Sequence, residues 1–412
     1  MNDYVLAVLG ALILTEALTG LARIYNVRSL SAGLPPEFRG VFGEAEYRRS
    51  GEYIRAGAKL DWARDVSGMA VVCAFVLAGG MGWLDGLVRS AGLGELASGL
   101  LFVGALTLAQ AVLGLPFDIY ATFVLEARFG FNNTTPGVFV MDRLKGLVLG
   151  TLLGGALLAA VLWAYSTLGG WAWLAAWGAV AAFSLVMLVV APVWILPLFN
   201  RFSPLPEGEL RRAIEAYASD KGFTLDGIFV MDGSRRSSKA NAFFTGIGKR
   251  KRISLYDTLI DKMSVEQVVA VLAHEMGHAL LGHVRKGFVL GMLKMGLVLY
   301  VLQLFLAGEG LQEAFGVAAP SAYVGLTLFG LAYQPLALLL GVAANAVSRR
   351  FEFQADAYAA AGPGGGEALA SALVELSRTN LANLTPHPFT VWLHYSHPPV
   401  LERVRRLKSS SA

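Results

Sequence analysis

The sequence predicts an all-α polytopic membrane protein that carries a small α+β domain on one side of the bilayer. Hydrophobic residues make up 55% of the 412 residues and charged residues only 16%, with a mean hydropathy of +0.55. Soluble domains carry about 25% charged residues. The apolar residues also form runs of the roughly 20 residues that a helix needs to cross a bilayer core. One sizeable polar segment, residues 201–286, interrupts these runs.

Seven apolar runs are candidate transmembrane helices, too many and too long for the core helices of a soluble protein. Gly169-Gly170 divides the uncharged run Gly146–Asn200 into two of them. The other five are Tyr4–Ala22, Val66–Leu84, Leu96–Phe117, Gly287–Gly308 and one within Ala314–Ser348. This predicts four regions: helices one to five (1–200), a polar insertion (201–286), helices six and seven (287–348) and a C-terminal region (349–412).

Lysine and arginine are distributed unevenly between the connectors that seven spans create. Residues 24–65 contain seven of them, whereas the opposite side shows only Arg89. The positive-inside rule then places the N-terminus outside, and the polar insertion and the C-terminus in the cytoplasm. The net charge of +4 follows from this topology. We therefore expect the lipid bilayer as a partner and no nucleic acid.

The polar insertion has the pattern of a small α+β domain. Ser264 and Gln267 form a Ser-x-x-Gln capping box at the start of a helix, and a helix continuing from the last span ends at Gly362-Pro363-Gly364. The expected elements are the amphipathic helix Glu209–Lys221, the strands Gly227–Met231, Ala240–Gly246 and Arg252–Tyr256, and the helix Arg349–Ala361.

The most specific motif is the pentapeptide His274-Glu275-Met276-Gly277-His278, in a chain with only six histidines. Two imidazoles four residues apart lie on one face of a helix and can bind the same metal ion. The glutamate between them can act as a general base toward water at that metal. The motif predicts one catalytic Zn²⁺ per chain, with Glu275 as the base. A structural zinc site is the competing interpretation, but such sites usually have four ligands rich in cysteine.

A catalytic zinc site needs a third protein ligand, for which Glu352 is the best candidate. Glu352 and Asp356 are four residues apart and share a helix face. Asp356 can then hydrogen-bond the distal nitrogen of a ligating histidine and fix its tautomer. The alternative is that both carboxylates pair with Arg349 and Arg350. His283 is another possible ligand, but a continuous helix would turn it away from the first two histidines.

Three further features are candidates for catalysis and substrate binding. His397, in the loop Tyr395-Ser-His-Pro-Pro399, is the candidate donor to the developing oxyanion, or else a surface histidine. Arg403 is expected to anchor that loop to a carboxylate. Asn241 and Ala242 are the candidate strand edge to which an extended peptide adds, or else part of an ordinary structural strand.

These motifs resemble those of the type I CAAX prenyl proteases, which are integral-membrane zinc metalloproteases of the gluzincin type. The matching segments, in the family's order, are Leu115–Asn132, Leu196–Pro204, Asn241–Gly246, His274–His278, Arg349–Asp356, and Tyr395–Pro399 with Arg403. The resemblance implies zinc ligation by His274, His278 and Glu352, and catalysis by Glu275. It also implies seven helices that form a barrel around a large chamber, with the metalloprotease site capping its cytoplasmic side.

The resemblance further implies cleavage of the C-terminal tripeptide from an isoprenylated cysteine peptide or protein. The Ala- and Gly-rich spans and short connectors suggest a bacterial homologue, located in the inner membrane; a eukaryotic homologue would lie in the endoplasmic reticulum. Because bacteria generally do not prenylate proteins for this processing, a second hypothesis is a quality-control metalloprotease that acts on unprenylated, misfolded or stalled clients.

Overall fold

The structure is a computed structural model that describes residues 2–31, 33–245, 251–308, 310–362 and 364–409. The described chain is mostly helical, with one small sheet. Five helices of 24 to 33 residues are each long and apolar enough to cross a membrane. They are Asp3–Arg28, Gly94–Glu126, Pro136–Thr167, Gly169–Phe199 and His283–Leu306.

Two further pairs of helices have the same apolar character but are sharply bent. Glu44–Leu77 and Gly80–Arg89 meet at 68°, and Ala322–Ala332 and Gln334–Ala360 meet at 60°. Length and composition thus give five to seven spans in the described chain. Both bends fall within predicted runs, the second (Val66–Leu84) and the seventh (within Ala314–Ser348). The first bend follows Gly79, whose φ of 75° favours glycine, and the second precedes Pro335, which lacks an amide hydrogen.

The remaining helices are short and belong mainly to the polar regions. The α-helices are Glu209–Asp220, Asp257–Ile260, Val265–Leu280, Leu311–Ala314, Gly365–Thr379, Pro388–His394 and Val400–Ser409, and the 3₁₀ turns are Ser29–Ser31, Pro36–Phe38 and Gly233–Arg235. The expected amphipathic helix is confirmed and ends at Asp220, one residue before the predicted end. The helix that continues from the last span is also confirmed and ends at Ala360, again one residue early. Pro363 lies outside the described residues.

The polar insertion also contains a four-stranded sheet. Its strands are β1 (Phe202–Pro204), β2 (Leu225–Met231), β3 (Ala242–Thr245) and β4 (Lys251–Tyr256), in the order β1-β2-β4-β3. β2 and β4 pair in parallel, and the other two pairs are antiparallel. The three expected strands are confirmed, whereas Gly246 and the basic turn that follows it lie outside the described residues. β3 is an edge strand of this sheet.

The first connector and the C-terminal helix pack into the same core as the sheet. Phe38 is fully buried together with Ile253 and Leu272, and Glu37 accepts a hydrogen bond of 2.6 Å from Arg405. The N-terminal end of the first helix belongs to a different cluster, with Leu84, Leu311 and Tyr323 among its members. The N-terminal helix and the C-terminal helix therefore pack in different clusters.

Candidate metal centre

The helix Val265–Leu280 carries the two histidines of the pentapeptide. Its N-terminus has the expected capping box, in which Gln267 N–H donates to Ser264 Oγ at 3.3 Å and Ser264 N–H donates to Gln267 Oε1 at 3.0 Å. The reciprocal bonds satisfy two backbone donors that a helix start leaves free. Buried valine and leucine side chains anchor the helix against the sheet, and they hold the following turns in place.

Gly277 lets this helix approach the helix Gln334–Ala360 closely. A Cβ atom at position 277 would lie 3.2 Å from Ala355 Cα and 3.2 Å from Tyr358 Cβ. Such contacts are tighter than side chains ordinarily make, and one of them is to backbone. The close crossing brings Glu352, one turn before Ala355, to the histidine pair.

His274, His278 and Glu352 converge on one point, with one potential ligand atom from each lying within 4.8 Å of the others. The two Nε2 atoms are 3.2 Å apart. Glu352 Oε1 lies 3.2 Å from His278 Nε2, and Glu352 Oε2 lies 3.5 Å from His274 Nε2. Ligand atoms at about 2.0–2.1 Å from a tetrahedral metal are roughly 3.3 Å apart, so these side chains fit a zinc ion without rearrangement.

The buried oxygen Glu352 Oε2 also points to a metal. Within the described residues it has no hydrogen-bond partner, and its charged neighbours Arg403 Nη1 and His274 Nε2 each lie 3.5 Å away. A buried carboxylate oxygen without a hydrogen bond is costly. Burial raises the pKa of Glu352, but the neighbouring side chains of His274, His278 and Arg403 outweigh burial and hold the pKa well below its ordinary value. The carboxylate is therefore ionised, as a metal ligand must be.

Asp356 and Arg403 hold the far side of His274. Asp356 Oδ1 lies 2.9 Å from His274 Nδ1, and Arg403 donates two hydrogen bonds to Asp356, at 2.8 and 2.6 Å. An acceptor at Nδ1 places the proton there and leaves the Nε2 lone pair directed at the metal position.

His283 and Gln354 hold the far side of His278, which the sequence reasoning did not predict. His283 Nδ1 lies 3.1 Å from His278 Nδ1, and His283 Nε2 lies 2.9 Å from Gln354 Oε1. Because the amide oxygen only accepts, His283 carries its proton on Nε2 and accepts at Nδ1. His278 then donates from Nδ1 and offers Nε2 to the metal.

The premise of a continuous helix through His283 is wrong. The helix Val265–Leu280 ends two residues before Gly282, which has a φ of 70°, and a new helix begins at His283. The change of direction returns His283 to the site, where it is buried and stacks on Phe351 with ring centroids 4.3 Å apart. Gly282, four residues after the motif, was the signal that could have indicated this turn.

The alternative that Glu352 and Asp356 pair with Arg349 and Arg350 is also wrong. Arg349 donates to the carbonyls of Val391 and Tyr395, at 3.2 and 2.6 Å, rather than to Glu352 or Asp356. These bonds instead tie the chain just before His397 to the helix that carries Glu352.

Glu275 and His397 are the two expected catalytic side chains. Glu275 lies between the two metal-directed histidines, and burial, the largest effect, raises the pKa of its carboxyl group. His397 Nε2 is 3.3 Å from Glu352 Oε1, and its Nδ1 is 2.9 Å from Ser396 Oγ. The His397 side chain is 64% exposed, so it borders the site on its open side.

Asn241 and Ala242 lie at the start of the edge strand β3, beside the helix that carries the histidines. Asn241 C=O accepts from Tyr256 N–H at 3.1 Å. The preceding residue, Ala240, is held from both sides by Asn380, whose side chain accepts from its N–H at 3.1 Å and donates to its C=O at 3.2 Å. The edge is thus fixed in position next to the metal centre.

Apolar helices capable of crossing a membrane, joined to a His-Glu-x-x-His helix and a third carboxylate, define the class of integral-membrane metallopeptidases. Comparison with known proteins gives the family. Residues 23–201 match the family described as CAAX prenyl protease N-terminal, five membrane helices. Residues 204–411 match peptidase family M48.

Individual relatives agree with these matches. The chain is 37% identical to the CAAX prenyl protease 1 homolog of Oryza sativa, over 92% of this chain and 91% of that protein. It is 32% identical to CAAX prenyl protease 1 of Saccharomyces cerevisiae, over 91% and 88%. The crystal structure of S. mikatae Ste24p superposes with a TM-score of 0.92 at 30% identity and covers 99% of both chains.

The chain belongs to the CAAX prenyl protease group of peptidase family M48. It is a multi-pass membrane metallopeptidase, and the family resemblance inferred from the motifs is confirmed. The relatives named above are plant and fungal proteins, and the bacterial origin stays a prediction.

Asp356→Asn should weaken metal binding because the neutral amide no longer supports the donating Nδ1–H of His274. We expect the affinity for zinc to fall by roughly 10- to 100-fold, measured by competition with a chromophoric chelator on the purified enzyme. Asp261→Asn, at an exposed carboxylate of the same domain, is the matched control and should retain full affinity. An unchanged affinity in Asp356→Asn would contradict the role assigned to Asp356.

Proposed function

We propose that the protein is a zinc-dependent endopeptidase that cleaves peptide bonds near the C-terminus of prenylated substrates of the CAAX type. The observation that carries the proposal is the convergence of His274, His278 and Glu352 at tetrahedral spacing. The names of the relatives supply the substrate class, since they are CAAX prenyl proteases along almost the whole chain.

The three ligands have distinct environments that support this role. Both histidines have their distal nitrogens engaged, by Asp356 and by His283, so each presents Nε2. Zinc bound there would supply a Lewis acid that activates water and polarises the scissile carbonyl. The burial of Glu352 excludes bulk water from one side of the metal position.

Glu275 is the proposed general base. It receives a proton from the attacking water and delivers it to the leaving amine, and its raised pKa suits both transfers. His397 is the proposed donor to the developing oxyanion, because it lies on the exposed side of the site, within reach of Glu352. The edge strand β3, from Asn241 and Ala242 onward, is the proposed docking strand for an extended peptide.

Glu275→Gln should separate chemistry from metal binding. We expect this variant to retain zinc and to lose activity by roughly 10²- to 10⁴-fold or more in kcat, because the amide cannot accept the proton. Glu352→Ala should lose both zinc and activity. Metal analysis beside a peptidase assay distinguishes the two variants, and full activity of Glu275→Gln would rule out the general-base assignment.

The substrate class can be tested with one peptide in two forms. A farnesylated peptide ending in a CAAX sequence should be cleaved with a kcat/KM at least about tenfold above that of its unprenylated twin, because the apolar isoprenoid adds buried surface. The Glu275→Gln enzyme serves as the blank for both peptides. Equal rates for the twins would instead indicate a quality-control protease that acts on unprenylated clients.

We also propose that the chain crosses the bilayer seven times, with each bent helix pair forming one span around a central chamber. The N-terminus then lies outside, and the polar insertion (201–286) and the C-terminal region (349–412) form the cytoplasmic catalytic domain. The excess of arginine and lysine in residues 24–65 supports this orientation. The start of the first helix and the C-terminal helix pack in different clusters, which supports an odd number of crossings.

Single cysteines in a Cys73→Ala background test this topology. A membrane-impermeant maleimide should label Asp3→Cys in intact cells, and Ser409→Cys only after the membrane is permeabilised. The parent Cys73→Ala protein should remain unlabelled in both conditions. Labelling of both positions from the same side would contradict seven crossings.

A further inference from the structure

A groove of about 710 Å³ lies between the helices Glu44–Leu77 and Gly94–Glu126, away from the metal centre. Three cationic side chains border it: Arg55 and Lys59 from the first helix and Arg128 just beyond the end of the second. Its walls are largely apolar and include Phe117 and Val124. The proposed mechanism gives this groove no role.

The three cations have no ion-pair partner within the described part of the chain. None of them forms an ion pair or a hydrogen bond there, and Arg128 only lies over the ring of Phe129, 5.5 Å from its centroid. Neighbouring cations behave differently, since Arg64 and Arg143 both pair with Asp118. Glu52 is the one carboxylate that lines the groove, so its border has a net charge of about +2.

Helix periodicity shows which way these cations face. Lys59 is 7 residues before Val66 and 18 before Leu77, which are two and five helical turns. Both apolar side chains are exposed, so Lys59 shares an exposed face that is apolar further along the helix. Leu60 and Leu125, which also line the groove, pack with Tyr53 and Phe129 in a buried cluster, so one wall of the groove rests on this cluster.

The helix Gly94–Glu126 likewise has a cation at the end of an exposed apolar stripe. One stripe of this helix contains Leu113, then Tyr120 two turns later, and then Val124 and Arg128 at four-residue intervals. The three uncharged side chains of this stripe are all exposed. Tyrosine at such a position is typical of the membrane–water interface. The cations therefore lie at one end of two exposed apolar stripes, beside an apolar cleft.

We propose that this groove binds an anionic phospholipid of the bilayer leaflet next to the metal centre. The headgroup phosphate lies among Arg55, Lys59 and Arg128, and an acyl chain lies along Phe117 and Val124. Clustered cations between membrane helices bind anionic headgroups, and each contributes to the attraction. The apolar walls distinguish a phospholipid from a free phosphate, which would use only the cations.

Native mass spectrometry of the full-length protein in detergent tests this proposal. The wild type should retain one dioleoyl phosphatidylglycerol at concentrations at which dioleoyl phosphatidylcholine is lost. Replacing all three cations (Arg55→Gln, Lys59→Gln, Arg128→Gln) should weaken phosphatidylglycerol binding on the order of a hundredfold. Because the readout is lipid retention, its outcome is independent of peptidase activity.

A second triple variant with the same loss of charge is the matched control. Arg39→Gln, Arg212→Gln and Lys408→Gln change exposed residues outside the groove, and the control should bind phosphatidylglycerol as the wild type does. Equal loss in both triple variants, or no preference for the anionic lipid in the wild type, would overturn the proposal. Displacement of the lipid by millimolar inorganic phosphate or by a prenylated peptide would overturn it as well, by showing a different occupant.

Discussion

The close crossing of the helices Val265–Leu280 and Gln334–Ala360 is the contact on which the functional site depends. The first helix supplies both histidines and the second supplies Glu352, and neither helix alone offers enough ligands for a catalytic metal. Gly277 permits the crossing because a side chain there would meet the backbone of the partner helix. The second helix also belongs to one of the two bent pairs with the apolar character of a span, so the metal centre is built directly onto the apolar part of the molecule.

This crossing buries several ionisable groups close together, which would be unfavourable without mutual pairing. Glu352, Asp356 and Arg403 are each at most 7% exposed, and burying an unpaired charge is costly. Arg403 neutralises Asp356, and the histidines engage both carboxylates. The pairing leaves Glu352 Oε2 without a hydrogen bond in the described structure, and a divalent cation at the centre would complete the network.

The sequence predicts those parts of the site that depend on local spacing. The two histidines, Glu352 and Asp356 follow from four-residue intervals on helices, and the capping box at Ser264 indicates where the first of these helices begins. The contribution of His283 could not be predicted from spacing alone, because it depends on a change of chain direction at Gly282. Gln354 and Asn380 are ordinary polar residues whose roles depend on contacts between distant segments. The two bends in the membrane helices likewise depend on a single glycine and a single proline within apolar runs.

The central claim is that one zinc ion is held by two imidazoles and one carboxylate, with no sulfur ligand. X-ray absorption at the zinc edge of the purified protein tests it most directly. We expect one zinc per chain with two nitrogen ligands at about 2.0–2.1 Å, oxygen ligands at about 2.0–2.2 Å, and the characteristic outer scattering of two imidazole rings. A protein purified without zinc, or a spectrum that requires sulfur or a single imidazole, would contradict it.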